Sequence, residues 1–253
     1  MNVRDERFTL AAPGQAPAIR SKNTMKDRDV AAAIHAVPAL QTLPPAVLTR
    51  LAAIATRIEL SRGEILFGAN ADCAGMYIVA SGRIMLSIGS PETGNKVIRL
   101  AEAADAIGLS ACLLGIPTFA SAEALVDSSV LLLPRDALID RAGRDAQLAY
   151  ALAMISALQA RKLAIDLESV SLQSGRERIV NFLLACATNS SSATLSVVLP
   201  AKKSIIASRL SVTPEYFSRT LHELISAGAI EVNGRQIVIR DALRLRGVHA
   251  RPA

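Results

Sequence analysis

The sequence predicts an α+β fold with an N-terminal β jelly roll, a long helix and a C-terminal winged helix-turn-helix. Three observations carry that expectation. Between Ile58 and Leu133, short runs of Ile, Val, Leu and Met are punctuated by glycines. Residues 146–160 read "AQLAYALAMISALQA", and residues 203–239 hold two helical patterns followed by a hairpin. At 253 residues the chain exceeds one typical domain, which suits such a division.

Residues 1–27 are polar, Pro-containing and aperiodic, and are expected to form a disordered tail. Met25 stands just before the better-patterned segment and is an alternative start. Residues 28–37 and 44–56 read as short helices, the second opened by Pro44 and Pro45. In the glycine-punctuated region, "MYIVASGRIMLSI" is two strands around a Ser-Gly turn, and "NKVIRLA" and "SSVLLLP" read as further strands. Many short strands at near-regular spacing indicate a sandwich or barrel. Residues 28–143 are therefore assigned to a jelly-roll domain.

Residues 144–168 form the long helix. Leu148, Leu152, Ile155, Leu158 and Ile165 recur at three- and four-residue steps, giving one apolar stripe. A homodimer seam would cover that stripe, and so would the chain's own barrel. The uncharged stretch is too short to cross a bilayer and is flanked by Arg144, Asp145, Arg161 and Lys162.

Residues 169–247 contain the most informative pattern. "KKSIIASRL" is a short helix, "SVT" a tight break with Ser211 where many such turns use Gly, and "PEYFSRTLHELIS" a second helix. Thr213 can cap that helix and Pro214 suits its first turn. "AIEVNGRQIVIR" is a wing whose Asn233-Gly234 signals a hairpin. Glu215, Ser218 and Arg219, at i, i+3 and i+4, share one face. Such a helix enters the major groove, where Arg donates to guanine, Glu accepts from a base amino group and Ser serves base or phosphate. Lys202, Lys203, Arg209, Thr213 and Arg235 are the candidates for phosphate contacts.

Charge agrees with double-stranded DNA as the partner. The net charge is +6, and residues 171–253 hold 11 Lys/Arg against 5 Asp/Glu, whereas residues 1–170 hold 17 of each. Aromatic content is 3% and Trp is absent, which leaves little for a single-strand stacking platform. Cys73, Cys112 and Cys186 are far apart without a CxxC pair, so neither a zinc site nor an iron–sulfur cluster is expected. They suit a reducing cytoplasm, and no secretory signal is visible.

No catalytic residues are expected. No His lies between His35 and His222, so the barrel has none for a metal-dependent enzyme, and nucleophile-elbow and P-loop patterns are missing. A regulatory module that binds no DNA would have no use for a capped polar triad and a basic wing. The basic residues also do not face a continuous amphipathic stripe, as membrane-surface binding requires.

From about residue 40 to 245 the chain resembles the CRP/FNR family of bacterial transcription regulators. The resemblance rests on "SRGEILF", "MYIVASGRIML", "AIGLSACLLGIPTFASAEAL", the long helix, "SGRERIVNFLL" and the helix-turn-helix with its wing. It implies a cyclic-nucleotide-binding-type jelly roll, a dimerisation helix, a homodimer on a palindrome and contact with RNA polymerase. "PEYFSR" fits the Glu-x-x-Ser-Arg pattern of the FNR-type branch, whose half-site resembles TTGAT.

The nucleotide cassette departs from cyclic-AMP-binding members. Gly108 is followed by Leu109, the Arg region reads Pro117-Thr118-Phe119-Ala120, and no Lys or Arg occurs between Arg99 and Arg135. A buried cyclic phosphate would lack its cation, so cyclic AMP is not expected. The cassette and DNA-binding part resemble the nitric-oxide-responsive regulators of denitrification, a branch associated with haem. That likeness makes His35 a candidate haem ligand. Cys73, in the turn "NADCAGM", is the candidate redox thiol of a regulator without haem. A regulator that needs no effector is the other alternative.

Overall fold

The computed structural model describes residues 27–90, 94–190, 194–241 and 245. Of the expected tail, residues 1–26 fall outside that set, as does Met25. Asp27 opens the first helix, α1 (Asp27–His35), which a 3-10 turn (Pro38–Leu40) joins to α2 (Pro45–Ala52).

Eight strands follow: β1 (Thr56–Leu60), β2 (Ile65–Phe67), β3 (Gly75–Ser81), β4 (Arg83–Ser90), β5 (Gly94–Glu102), β6 (Ala106–Ile107), β7 (Ser121–Ala124) and β8 (Ser128–Pro134). A short helix, α3 (Leu109–Leu114), separates β6 from β7. The strands form two four-stranded sheets, ordered β1-β8-β3-β6 and β2-β7-β4-β5. This is the jelly roll. Its interior is filled by Ile58, Phe67, Tyr77, Val79, Ile84, Val130 and Leu132, with the Phe67 and Tyr77 ring centroids 5.4 Å apart.

The first sheet is covered on its outer face too. Met76, Ile78, Leu131 and Leu133 alternate with the interior residues and pack with Val30, Ile34 and Leu40. Burial on both faces explains why "MYIVA" and "VLLL" are nearly unbroken apolar runs rather than alternating ones.

Gly82 closes the β3–β4 hairpin at φ +88°, and a Cβ there would come within 2.6 Å of Ser128 Cα. The Arg83 amide donates to Ser128 Oγ at 3.0 Å, so the loop backbone is held against that residue. Gly82→Ala is expected to cost about 2–4 kcal/mol, from the left-handed backbone plus the overlap. Thermal unfolding followed by circular dichroism checks it, and an unchanged midpoint would refute the close approach.

Three helices follow the barrel: α4 (Arg135–Arg144), α5 (Ala146–Leu172) and α6 (Gly175–Ala185). The last begins with a capping box, Ser174 Oγ accepting from the Glu177 amide at 3.2 Å while Glu177 accepts from the Ser174 amide at 2.6 Å. At 27 residues, α5 is long and apolar enough to cross a membrane by length and composition. Its early turns are otherwise engaged, because Leu148, Ala151, Leu152 and Ile155 are buried among the residues that cover the barrel. This corrects the single stripe read from the sequence. Leu148, Leu152 and Ile155 belong to the chain's own core, while Leu158 and Ile165 are each 49% exposed. Sequence spacing places residues on a face but does not say which face the barrel takes.

The chain divides into two compact units, one of Met1–Gly94 and Ile98–Gln159, the other of Asn95–Val97 and Ala160–Ala253. The later boundary therefore falls inside α5. The second unit contains α6, β9 (Thr188–Ser190), β10 (Thr194–Val198), α7 (Lys203–Arg209), α8 (Pro214–Ser226), β11 (Ile230–Asn233) and β12 (Gln236–Ile239), with a sheet ordered β11-β12-β10-β9.

Candidate nucleic-acid interface

Helix α8 starts as its sequence dictates. Thr213 is the N-cap, its hydroxyl accepting from the Tyr216 amide at 3.2 Å, and Pro214 occupies the first turn. Phe217, Thr220, Leu221 and Leu224 are buried and fix the helix to its unit. Ile225 is instead 40% exposed, so the packed face is narrower at that end. The opposite face carries Glu215 and Arg219, both exposed, with Ser218 half-buried between them.

The structure adds a neighbour that spacing alone did not single out. The Arg219 guanidinium lies over the Tyr216 ring, 5.2 Å from its centroid. That cation–π contact steadies a long side chain at modest energy, about 0.5–1 kcal/mol where exposed. Acceptor, hydroxyl and guanidinium thus stand on one exposed face near a helix N-terminus, as base-edge reading requires.

The turn before α8 is held by another residue missed from the sequence. Ser211 takes φ +56°, a left-handed conformation that Gly would adopt more easily. Arg178 of α6 donates Nε to the Leu210 carbonyl at 2.8 Å, Nη2 to the Ser211 carbonyl at 3.2 Å and Nη1 to the Gln173 carbonyl at 2.6 Å. One guanidinium thus ties two carbonyls of the turn to the end of α5. Nothing local to Arg178 in "SGRERIV" signals contacts some thirty residues away.

The phosphate candidates divide. Lys202 and Lys203 are exposed at the start of α7, where ammonium groups can reach a backbone. Thr213 is occupied as a cap, yet its hydroxyl proton remains available to an acceptor. Arg209 and Arg235 also have partners within the fold. Arg209 pairs with Asp166 at 2.7 Å, and Arg235 donates Nε and Nη2 to the Leu199 carbonyl at 3.1 and 2.6 Å. Both therefore brace the fold. The wing turn also shifts by one residue: Asn233 pairs with Gln236, leaving Gly234, at φ +60°, and Arg235 as its central pair.

The sensor candidates fare less well. His35 is exposed at the end of α1, with Nε2 3.2 Å from the Gln41 carbonyl. An exposed imidazole on a backbone carbonyl lacks the apolar enclosure of a haem ligand, so the site does not fit haem. The chain's two other histidines are His222, on α8 with Nδ1 2.8 Å from the Ser218 carbonyl, and His249, outside the described residues. Among those residues no group of three or more His, Cys, Asp or Glu could hold a metal ion.

Cys73 is half-buried, its thiol facing the Gly75 carbonyl at 3.5 Å. Burial pushes that thiol up, and a backbone hydrogen bond with Gly75 and the charge of Arg135 offset only part. Burial likewise pushes the Cys112 thiol up to about 11. Neither is an activated nucleophile. In the cassette, Arg135 reaches back from α4 and donates Nε to the Cys112 carbonyl at 2.9 Å. Leu114 and Phe119 are 69% and 66% exposed there, so the cassette surface is apolar where a phosphate would need charge.

A barrel of this topology joined by a long helix to a winged helix-turn-helix defines a class: two-domain transcription regulators with a cyclic-nucleotide-binding-type sensor. The comparisons agree with the geometry. The cyclic nucleotide-binding domain matches residues 57–145, and the Crp-like helix-turn-helix domain matches residues 177–248. The chain is 28% identical over 201 residues to the nitrogen fixation regulation protein FixK of Azorhizobium caulinodans, covering 78% of this chain and 80% of that protein. The solved structure of FixK2 from Bradyrhizobium japonicum is 26% identical with a TM-score of 0.69, covering 79% of this chain and all of that one (100%). The c-di-GMP responsive regulator CLP of Xanthomonas campestris shares the fold at 13% identity, TM-score 0.68, over 78% of this chain and 100% of its own. The chain belongs to the CRP/FNR family. It is a DNA-binding transcription regulator and not an enzyme.

Proposed function

We propose that this regulator works as a homodimer on a palindromic, TTGAT-like site in the cytoplasm, with its output set by a signal reaching the N-terminal domain and delivered through RNA polymerase. The observation that carries the base-reading part is the α8 face of exposed Glu215 and Arg219 with half-buried Ser218 between them, supported behind by the buried Phe217. Lys202, Lys203 and Thr213 supply phosphate contacts, which give affinity without sequence choice. A mismatched control duplex of equal length tests this reading. Preference for the palindrome that survives added salt supports it, and equal affinity for both duplexes refutes it.

The exposed face of α5 supports the homodimer. Tyr150, Met154, Leu158, Ile165 and Leu172 are 67%, 37%, 49%, 49% and 77% exposed, and Leu158, Ile165 and Leu172 follow a seven-residue step. Two copies joined there would present two recognition helices to successive major grooves, about 34 Å apart. Ile165→Glu is expected to give folded monomers with weakened palindrome binding. Analytical ultracentrifugation checks it, and a dimeric variant would remove this face as the seam.

A further inference from the structure

Tyr216 is held from three directions. Its amide donates to the Thr213 hydroxyl at 3.2 Å, which fixes its backbone at the start of α8. Its half-buried ring lies against Gly175, the first residue of α6. A Cβ on Gly175 would stand 2.9 Å from Tyr216 Cε1 and 3.0 Å from Val212 Cγ1, so ring and Val212 fill the space that a larger residue would claim. On its open side the ring carries the Arg219 guanidinium, 5.2 Å from the centroid.

We infer that Tyr216 is a positioning residue that sets how sharply the protein discriminates between DNA sequences, with Gly175 as the seat of its ring, a role that rests on Arg219 being a base contact. An exposed Arg samples many rotamers and must lose that freedom to reach the two acceptors of a guanine together. A ring that already holds the guanidinium removes part of that cost before DNA arrives. The platform also settles a competition. Glu215 and Arg219, four residues apart on a helix, can close into an ion pair that would occupy both. Among the described residues no ion pair joins them, and Arg219 lies on the ring instead, so acceptor and donor both stay available to bases. Random DNA, held through phosphate charge, does not need that orientation.

Fluorescence anisotropy of the full chain on the TTGAT-like palindrome and on a random duplex tests this, with discrimination taken as the ratio of the two affinities. Tyr216→Leu keeps an apolar seat but offers no π face. It is expected to lower the ratio about two- to fivefold per half-site, or about five- to thirtyfold on a palindrome, with little change on random DNA. Tyr216→Phe keeps the ring and should retain the wild-type ratio. Gly175→Ala suits a helical backbone but displaces the ring, and should lower the ratio in the same direction. In an Arg219→Ala background, Tyr216→Leu should change the ratio less than about twofold, because the group it positions is gone. Thermal unfolding confirms that each variant is folded. A wild-type ratio in both Tyr216→Leu and Gly175→Ala would overturn the inference, as would an undiminished effect of Tyr216→Leu without Arg219. Tyr216→Phe as weak as Tyr216→Leu would overturn it too, by assigning the effect to the hydroxyl. An Arg219→Ala protein that keeps full discrimination would instead overturn the base-reading role itself, and this inference with it.

Discussion

Arg219→Ala will remove most of the discrimination between target and random DNA while leaving the fold intact. The side chain is exposed and its contact in the free protein is the Tyr216 ring, so truncation leaves no buried group unsatisfied. Each lost bidentate base contact is worth about 1–3 kcal/mol, and a palindrome would contain the contact twice. Random DNA, bound through phosphates, should lose far less. Fluorescence anisotropy on the two duplexes separates the effects. Lys202→Ala provides the contrast, because loss of a phosphate contact weakens both duplexes alike and lowers the salt slope by about 1. If Arg219→Ala weakened both duplexes equally, Arg219 would be a phosphate contact and not a base reader.

Ile155→Glu will destabilise the N-terminal unit rather than merely separate two chains. Ile155 is 5% exposed and packs in the cluster formed with Met76, Ile78, Leu131 and Leu133. An unpaired carboxylate there costs roughly 3–5 kcal/mol, or drives its own protonation, and the lost aliphatic packing adds to this. Denaturant unfolding should show an early transition for the N-terminal unit, and low solubility is expected. Ile165→Glu, about three turns further along the same helix and 49% exposed, should lower the midpoint far less, by no more than the lost association contributes. A fully stable Ile155→Glu would mean that the barrel does not depend on this part of α5.

The local elements were legible because their causes are local. The Thr213 cap with Pro214 behind it and the apolar strands between glycines are each set within a few residues. The outward face of α8 followed from helical period and the apolar positions on its other side. Spacing was silent where a partner lies far away in sequence. Arg209 and Arg235 looked free, since neither Asp166 nor the Leu199 carbonyl can be matched to them by spacing. Arg178 looked ordinary for the same reason, although it holds the turn that aims α8.

By itself, then, the sequence determined the architecture, the recognition helix and the basic character of the last third, because short-range periodicity, capping chemistry and net charge are additive along the chain. Only the tertiary structure decided which apolar face of α5 the barrel buries and which cations have partners within the fold. Those questions turn on which groups exclude water from one another. That depends on distances between residues far apart in the chain, which spacing along it does not encode.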